Sequence, residues 1–385
     1  MDRKFIILVI IVSISGFSQG MLLPLISVIF EGDGVSSTLN GLNATGLYIG
    51  TLLIAPFTEQ PLRKYGYKPM IIVGGILIFI SLLLFPVWKS AVFWFILRMF
   101  IGVGDHTVHY ATQTWITSTT EKHKLGRNMS IYGISFSAGF AVGPLFVPLI
   151  KISESLPFIV SSILCFIAWT LIFLLRNEKP EALIGDANQT GVIRYKRALK
   201  YGWIAFLPPF TYGFLETSLN AVYPVYAMRK EYDLAFISII LASFTVGGVL
   251  MQFPLGILGD KIGRKKVITS GLLIGSSVFF LGSFLEANQL FVAGVFLFAG
   301  MFVGSMFGLG ITYMTDLTPK ELLPTGNLLC GIFFSLGSLT GPFLGGFYLQ
   351  MFPQISFLLL ISSLLIFVCI LVFLFGKGKR EISLS

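Results

Sequence analysis

The sequence predicts an all-α membrane protein of twelve transmembrane helices arranged as two pseudo-symmetric six-helix bundles. Three observations carry this expectation. Of 385 residues 55% are apolar and 12% charged, with a mean hydropathy of +0.86. Apolar runs of about 20 residues, enough to cross a bilayer, recur from one end to the other. A spaced set of glycines, prolines and threonines returns about 198 residues further on, as in Gly139 and Gly337.

In chain order the predicted spans are 5–30, 42–60, 69–88, 90–115, 128–150, 155–175, 203–227, 234–258, 267–285, 288–313, 323–348 and 353–375. Helices suit these runs because each closes its own backbone hydrogen bonds in lipid. The first run is about 25 residues long and lacks a small-residue cleavage site, so it reads as a span rather than a signal peptide. Gly133, Gly139, Gly143 and Pro144 recur as Gly331, Gly337, Gly341 and Pro342, and Thr117 and Thr120 as Thr315 and Thr318, all at an offset of 198. Gly66 pairs with Gly263 and Pro24 with Pro224. The predicted domains are therefore a bundle over 1–176, a polar linker over 177–202 containing Pro180, Gly185 and Gly191, and a second bundle over 203–385.

Charge placement sets orientation. Of the 27 Lys and Arg, only Lys89, Lys151, Arg229 and Lys230 fall in one alternate set of loops, and Arg98 falls within a span. The rest, including Lys320, Lys379 and Arg380, occupy the other set of loops and both termini. That asymmetry puts both termini in the cytoplasm. It also accounts for the net charge of +9 without nucleic acid as a partner. Cys165, Cys330 and Cys369 lie in apolar runs, with no disulfide framework or metal spacing. No phosphate-binding loop or enzyme motif stands out, so neither an enzyme nor an ATP-driven pump is expected.

Gly256 to Lys266 reads GILGDKIGRKK. This glycine-rich basic turn between two apolar runs resembles the signature loop of the major facilitator superfamily, secondary transporters of twelve helices, with Gly256, Asp260, Lys261, Gly263, Arg264 and Lys266 in register. The resemblance, which extends from about Phe5 to Phe375, implies two bundles rocking about a midplane site and a conformational role for this loop. In the family, the loop's acid locks the outward-facing state. The first-half counterpart runs from Glu59 to Pro69 and has Arg63 where the acid belongs, so the lock is expected to be one-sided; alternatively, Arg63 is a topology charge.

Arg98 to Gly104 resembles the R-x-x-x-G-x-G motif of proton-coupled members. Arg98, Gly102, Asp105, His109 and Thr112 share one helix face by spacing, and His106 and Gln113 lie on a neighbouring one. A charge inside a span costs about 3 kcal/mol or more unless paired or hydrated. This stripe is therefore either a water-lined proton or substrate path or a structural Arg98–Asp105 pair. His106 and His109 alone are too few for a metal site, and none is expected. In the seventh span Tyr212, Glu216, Asn220 and Tyr223 form one polar-aromatic face near mid-bilayer. There Glu216 is either a proton carrier or a neutral structural group. Ser15 and Gln19 of the first span could line the opposite side, and Phe17 and Phe210 could touch an amphipathic substrate. Asp316 reads as a gate or capping charge.

Gly139, Gly143 and Pro144 resemble the G-x-x-x-G-P motif of drug/proton antiporters, with Gly337, Gly341 and Pro342 as the second-half version. Their roles are hinge or close packing. Taken together, the resemblance implies a proton-coupled transporter, without a cofactor, exporting a small amphipathic molecule by alternating access. The expected setting is a bacterial cytoplasmic membrane, as a monomer among lipids. Alternatives are a proton-coupled importer, a narrow-range metabolite or siderophore exporter, or an uncoupled lipid-handling or receptor protein.

Overall fold

The computed structural model describes residues 3–179, 191–319 and 322–377. Pro180, Gly185, Lys320, Lys379 and Arg380 lie outside the described residues. The helices are α1 (Arg3–Gly32), α2 (Ser37–Ile54), α3 (Glu59–Tyr65), α4 (Tyr67–Leu84), α5 (Ala91–Thr119), α6 (Lys122–Val142), α7 (Leu156–Thr170), α8 (Gly191–Gly202), α9 (Leu207–Ala221), α10 (Tyr223–Arg229), α11 (Leu234–Ile262), α12 (Arg264–Gly282), α13 (Gln289–Val303), α14 (Met306–Leu317), α15 (Leu323–Met351) and α16 (Phe357–Phe375). No strand occurs among the described residues. The chain divides into two compact units, Met1–Val35 with Leu42–Ile184, and Gly185–Ser385 with Ser36–Gly41.

Ten described helical segments are long and apolar enough to cross a membrane. The second and seventh predicted spans are not among them, for local reasons. α2 carries Ser37, Thr38, Asn40, Asn43 and Thr45 over only 18 residues, which dilutes its hydropathy. The seventh is split into α9 and α10 at Val222, just before Pro224; a proline ring crowds the preceding turn and lacks the amide that would continue it. The fifth span also changes character. After α6 the chain tightens into a 3-10 helix over Gly143–Lys151, which contains Pro144 and Pro148. At the end poor in bases, α5, α11, α13 and α16 each start on a side-chain cap, from Ser90, Asp233, Asn288 and Ser356, satisfying an otherwise orphaned amide. At that same end of the first unit Lys89 bridges Asp33 and Glu154, each at 2.8 Å. Burial opposes its charge, but the two carboxylates outweigh that and hold its pKa above the usual value.

The sequence repeat reappears as matched packing inside each unit. In the first, α6 lies along α1, and a methyl group on Gly139 would collide with the Ser13 carbonyl and the Phe17 amide. In the second, α15 lies along α9, and a methyl on Gly337 would collide with the Phe210 carbonyl and the Phe214 amide. Ser13 and Phe210, like Phe17 and Phe214, are 197 apart. Gly143 and Gly341 meet Phe17 and Phe214 in the same way. These glycines are therefore contact points where two backbones touch, as small residues permit in membranes. Gly139→Val is expected to cost about 3 kcal/mol and to lower the melting temperature of the purified protein, whereas Gly133→Val, whose site faces open space, is not.

The basic ends of the units repeat as well, with different chemistry. Gly66 and Gly263 precede α4 and α12 with φ of 95° and 97°, where a side chain would be strained. In the second unit Arg264, the first residue of α12, binds Asp260 at 2.6 Å and also Asp316 at the end of α14. Tyr67 and Ser118 occupy the matching positions in the first unit, 197 and 198 residues earlier. There the contact is a neutral hydrogen bond of 2.9 Å. Arg63 pairs at the surface with Glu59, at 2.7 Å, within its own short helix. A second acid at this end comes from the predicted linker. Glu178 takes Lys4 at 3.2 Å and the Trp115 indole N–H at 2.7 Å, and its carbonyl receives the Tyr67 amide. Asn177 ties to the Tyr65 carbonyl and the Lys68 amide. The described parts of the predicted linker are its first residues, held to the first unit by Asn177 and Glu178, and helix α8.

Candidate functional site

Asp105 is the centre of a buried polar cluster in the first unit. It sits on α5, and its carboxylate receives two side chains of α1, the Ser15 hydroxyl and the Gln19 amide, the latter at 2.5 Å. Ser15 and Gln19 are four residues apart, so one helix turn presents both. His109, one turn further along α5, places Nε2 3.3 Å from Ser15 Oγ and 3.7 Å from Asp105 Oδ1. Its Nδ1 lies 2.6 Å from the Tyr132 hydroxyl on α6. One assignment of hydrogens satisfies all these contacts: Tyr132 donates to Nδ1, Nε2–H donates to Ser15, and Ser15 donates to Asp105. The result is a directed chain from a phenol to a carboxylate through an imidazole and a hydroxyl. Phe136 packs edge-on against the imidazole, with ring centres 5.0 Å apart.

Arg98 stands apart from this cluster, and the structural Arg98–Asp105 pair is not formed. Seven residues separate the two along α5, about 10 Å of rise, and both Asp105 oxygens are already occupied. The guanidinium is 1% exposed and reaches the Leu22 carbonyl of α1 at 3.4 Å. Its Nε and Nη1 have no protein partner. His106 stacks on Tyr110 rather than joining His109. Among the described residues no three His, Cys, Asp or Glu side chains gather as metal ligands.

The second unit holds its acid more simply. Glu216 on α9 is buried, at 8% exposure, and accepts the Tyr212 hydroxyl at 3.2 Å. Asn220 donates to the Glu216 backbone carbonyl at 2.7 Å, leaving its own oxygen unpartnered. The predicted polar face stops there. Tyr223 lies beyond the break at Val222, and its ring packs on Phe296 at 4.6 Å within the apolar core. Phe17 is similarly occupied, edge-on to Phe146.

Of the residues that the sequence singled out, the structure brings Asp105, His109 and Gln19 together and leaves Glu216 in the other unit; Tyr132 was not among them. A signal existed: Tyr132, Phe136, Gly139 and Gly143 step by four, three and four, a single helix face, and the glycines on it mark the face that touches α1. Gly256 lies open, whereas Asp260, Gly263 and Arg264 build the loop contact described above; Lys261 is exposed.

The sequence matches the profile described as Major Facilitator Superfamily over residues 8–235 and 205–384. The chain belongs to the Major Facilitator Superfamily. Within it, this facilitator is 52% identical over 377 residues to the "Uncharacterized MFS-type transporter YfkF" of Bacillus subtilis (strain 168), covering 97% of this chain and 96% of the relative. It is 24% identical to "Multidrug resistance protein 1" of the same organism, over 90% of each chain. Two solved folds superpose closely. The nucleoside transporter NupG gives a TM-score of 0.78 at 13% identity, over 98% of this facilitator and 100% of that chain. A D-xylose-proton symporter gives 0.79 at 13% identity, over 99% and 98%. The fold is thus the two-bundle facilitator fold, and the protein is an integral membrane transporter.

Proposed function

We propose that this transporter is driven by the proton gradient and exports small amphipathic organic molecules from the cytoplasm, with both termini on the cytoplasmic side. The observation that carries this reading is the chain Tyr132–His109–Ser15–Asp105. A buried carboxylate with two hydroxyl or amide donors and an imidazole beside it can exchange a proton without leaving a bare charge in the span. Glu216, buried in the second unit with a single hydroxyl donor, is the second proton-accepting group. Export rather than import is supported by the similarity to a protein named for multidrug resistance and by the G-x-x-x-G-P pattern. No cofactor is required, since the gradient supplies the energy. In this reading the loop Gly256–Arg264 with Asp260 and Lys261, and the close-packed Gly139, Gly143, Pro144, Gly341 and Pro342, govern conformational change.

The test is a pH measurement inside proteoliposomes on adding a panel of amphipathic cations, neutral drugs and sugars. Proton movement against substrate, for the amphipathic compounds alone, is the expected result; transport with no change in internal pH overturns the coupling. Within this scheme Tyr132→Phe removes one hydroxyl and is expected to slow gradient-driven transport roughly tenfold, with substrate binding unchanged in equilibrium dialysis.

A further inference from the structure

The basic helix α8 is not used by the transport scheme. Its sequence, GVIRYKRALKYG, contains no acid. Ala198 is fully buried in the core of the second unit, and Tyr195 and Leu199 pack against that core. Gly202 fits against Leu317 and Thr318 at the end of α14. Lys196, Arg197, Lys200 and Tyr201 are exposed and fall on the opposite helix face, so the bases form a surface held in place rather than a floating tail. Charge at this end is unbalanced. Of the acids described in the second unit, only Asp260 and Asp316 lie at the basic end, and both are bound by Arg264. Neither Lys196, Arg197 nor Lys200 has an acidic partner among the described residues. The depth of α8 is marked by Trp203, directly after it, which is 43% exposed and contacts the ring of Phe375, the last residue of α16, at 5.8 Å. Exposed tryptophan and tyrosine at the end of a spanning helix mark the headgroup level of a bilayer.

We infer that the exposed face of α8 is a binding surface for the anionic headgroups of membrane phospholipids. A fixed row of unpaired bases at the depth of the phosphates gains from anionic lipid at each position, and the docked apolar face means no folding cost is incurred on binding. This surface is distinct from the buried acids, and its test does not depend on transport.

The experiment is association of spin-labelled phosphatidylglycerol against spin-labelled phosphatidylcholine with the full chain in vesicles of phosphatidylcholine. The wild type prefers phosphatidylglycerol. The combined variant Lys196→Gln, Arg197→Gln, Lys200→Gln is expected to lose that preference, by about fivefold for each base in reach of the headgroups. A control with the same charge change, Lys64→Gln, Lys179→Gln, Lys266→Gln, keeps it. Should the triple variant fail to fold, Lys200→Gln alone is expected to lose a fraction of the preference while Lys200→Arg retains it. Equal preference in the α8 variant and the wild type, or an equal loss in the control, overturns the assignment.

Discussion

Glu216→Gln is expected to abolish gradient-driven accumulation of substrate in proteoliposomes while leaving counterflow exchange largely intact. The reasoning is structural and chemical together. Glutamine is nearly the same size and keeps an oxygen for the Tyr212 hydroxyl, which in the native protein sits 3.2 Å from Glu216. The Asn220 bond goes to the backbone of residue 216 and is unaffected. In the proposed scheme, what disappears is the ability to take up and release a proton inside the span. A loss of accumulation of at least two orders of magnitude is therefore expected with little loss of fold. Full accumulation by the variant would reduce Glu216 to a structural hydrogen-bonding group.

Asp105→Asn has a different signature, because the carboxylate is held at both oxygens. Ser15 and Gln19 both donate to it, so an amide in its place turns an NH2 group toward a donor. At least one buried bond is left unmade, at about 1–3 kcal/mol. Rotating Ser15 away also breaks the link to His109. Both substrate affinity and transport are expected to fall, affinity by about tenfold, measured by binding to the purified protein. Unchanged affinity with lost coupling would give Asp105 the proton-carrying role alone.

The two acids were legible because each is an isolated carboxylate in an apolar run, where charge is conspicuous. The glycine contacts were legible as an internal repeat, although the sequence could not show that Gly139 lies against the backbone of Ser13 and Phe17. What stayed hidden depended on rotation and reach between helices. Spacing put Arg98 and Asp105 on one face, yet it could not show that Asp105 would turn to α1 and leave Arg98 with the Leu22 carbonyl. Tyr132 was passed over because its partner lies 23 residues away on another helix. Tyr223 was assigned to the wrong environment because a regular period was extended across the break at Val222. The role of Glu178 was invisible for a simpler reason: a polar stretch after a span reads as linker until its partners are seen.

The mismatch between Tyr67–Ser118 and Arg264–Asp316 makes the two halves unequal in their response to dissolved ions. A tyrosine–serine hydrogen bond carries no net charge, and added salt leaves it nearly untouched. The arginine bridge is partly open to water, with Asp260 65% and Asp316 30% exposed, and at physiological ionic strength charges are screened over about 8 Å. Rising salinity thus loosens the α12–α14 junction, while the matching α4–α5 contact between Tyr67 and Ser118 keeps its hydrogen bond. The internal repeat places the same joint at two points of the chain, and ions in the surrounding water can loosen only one of them.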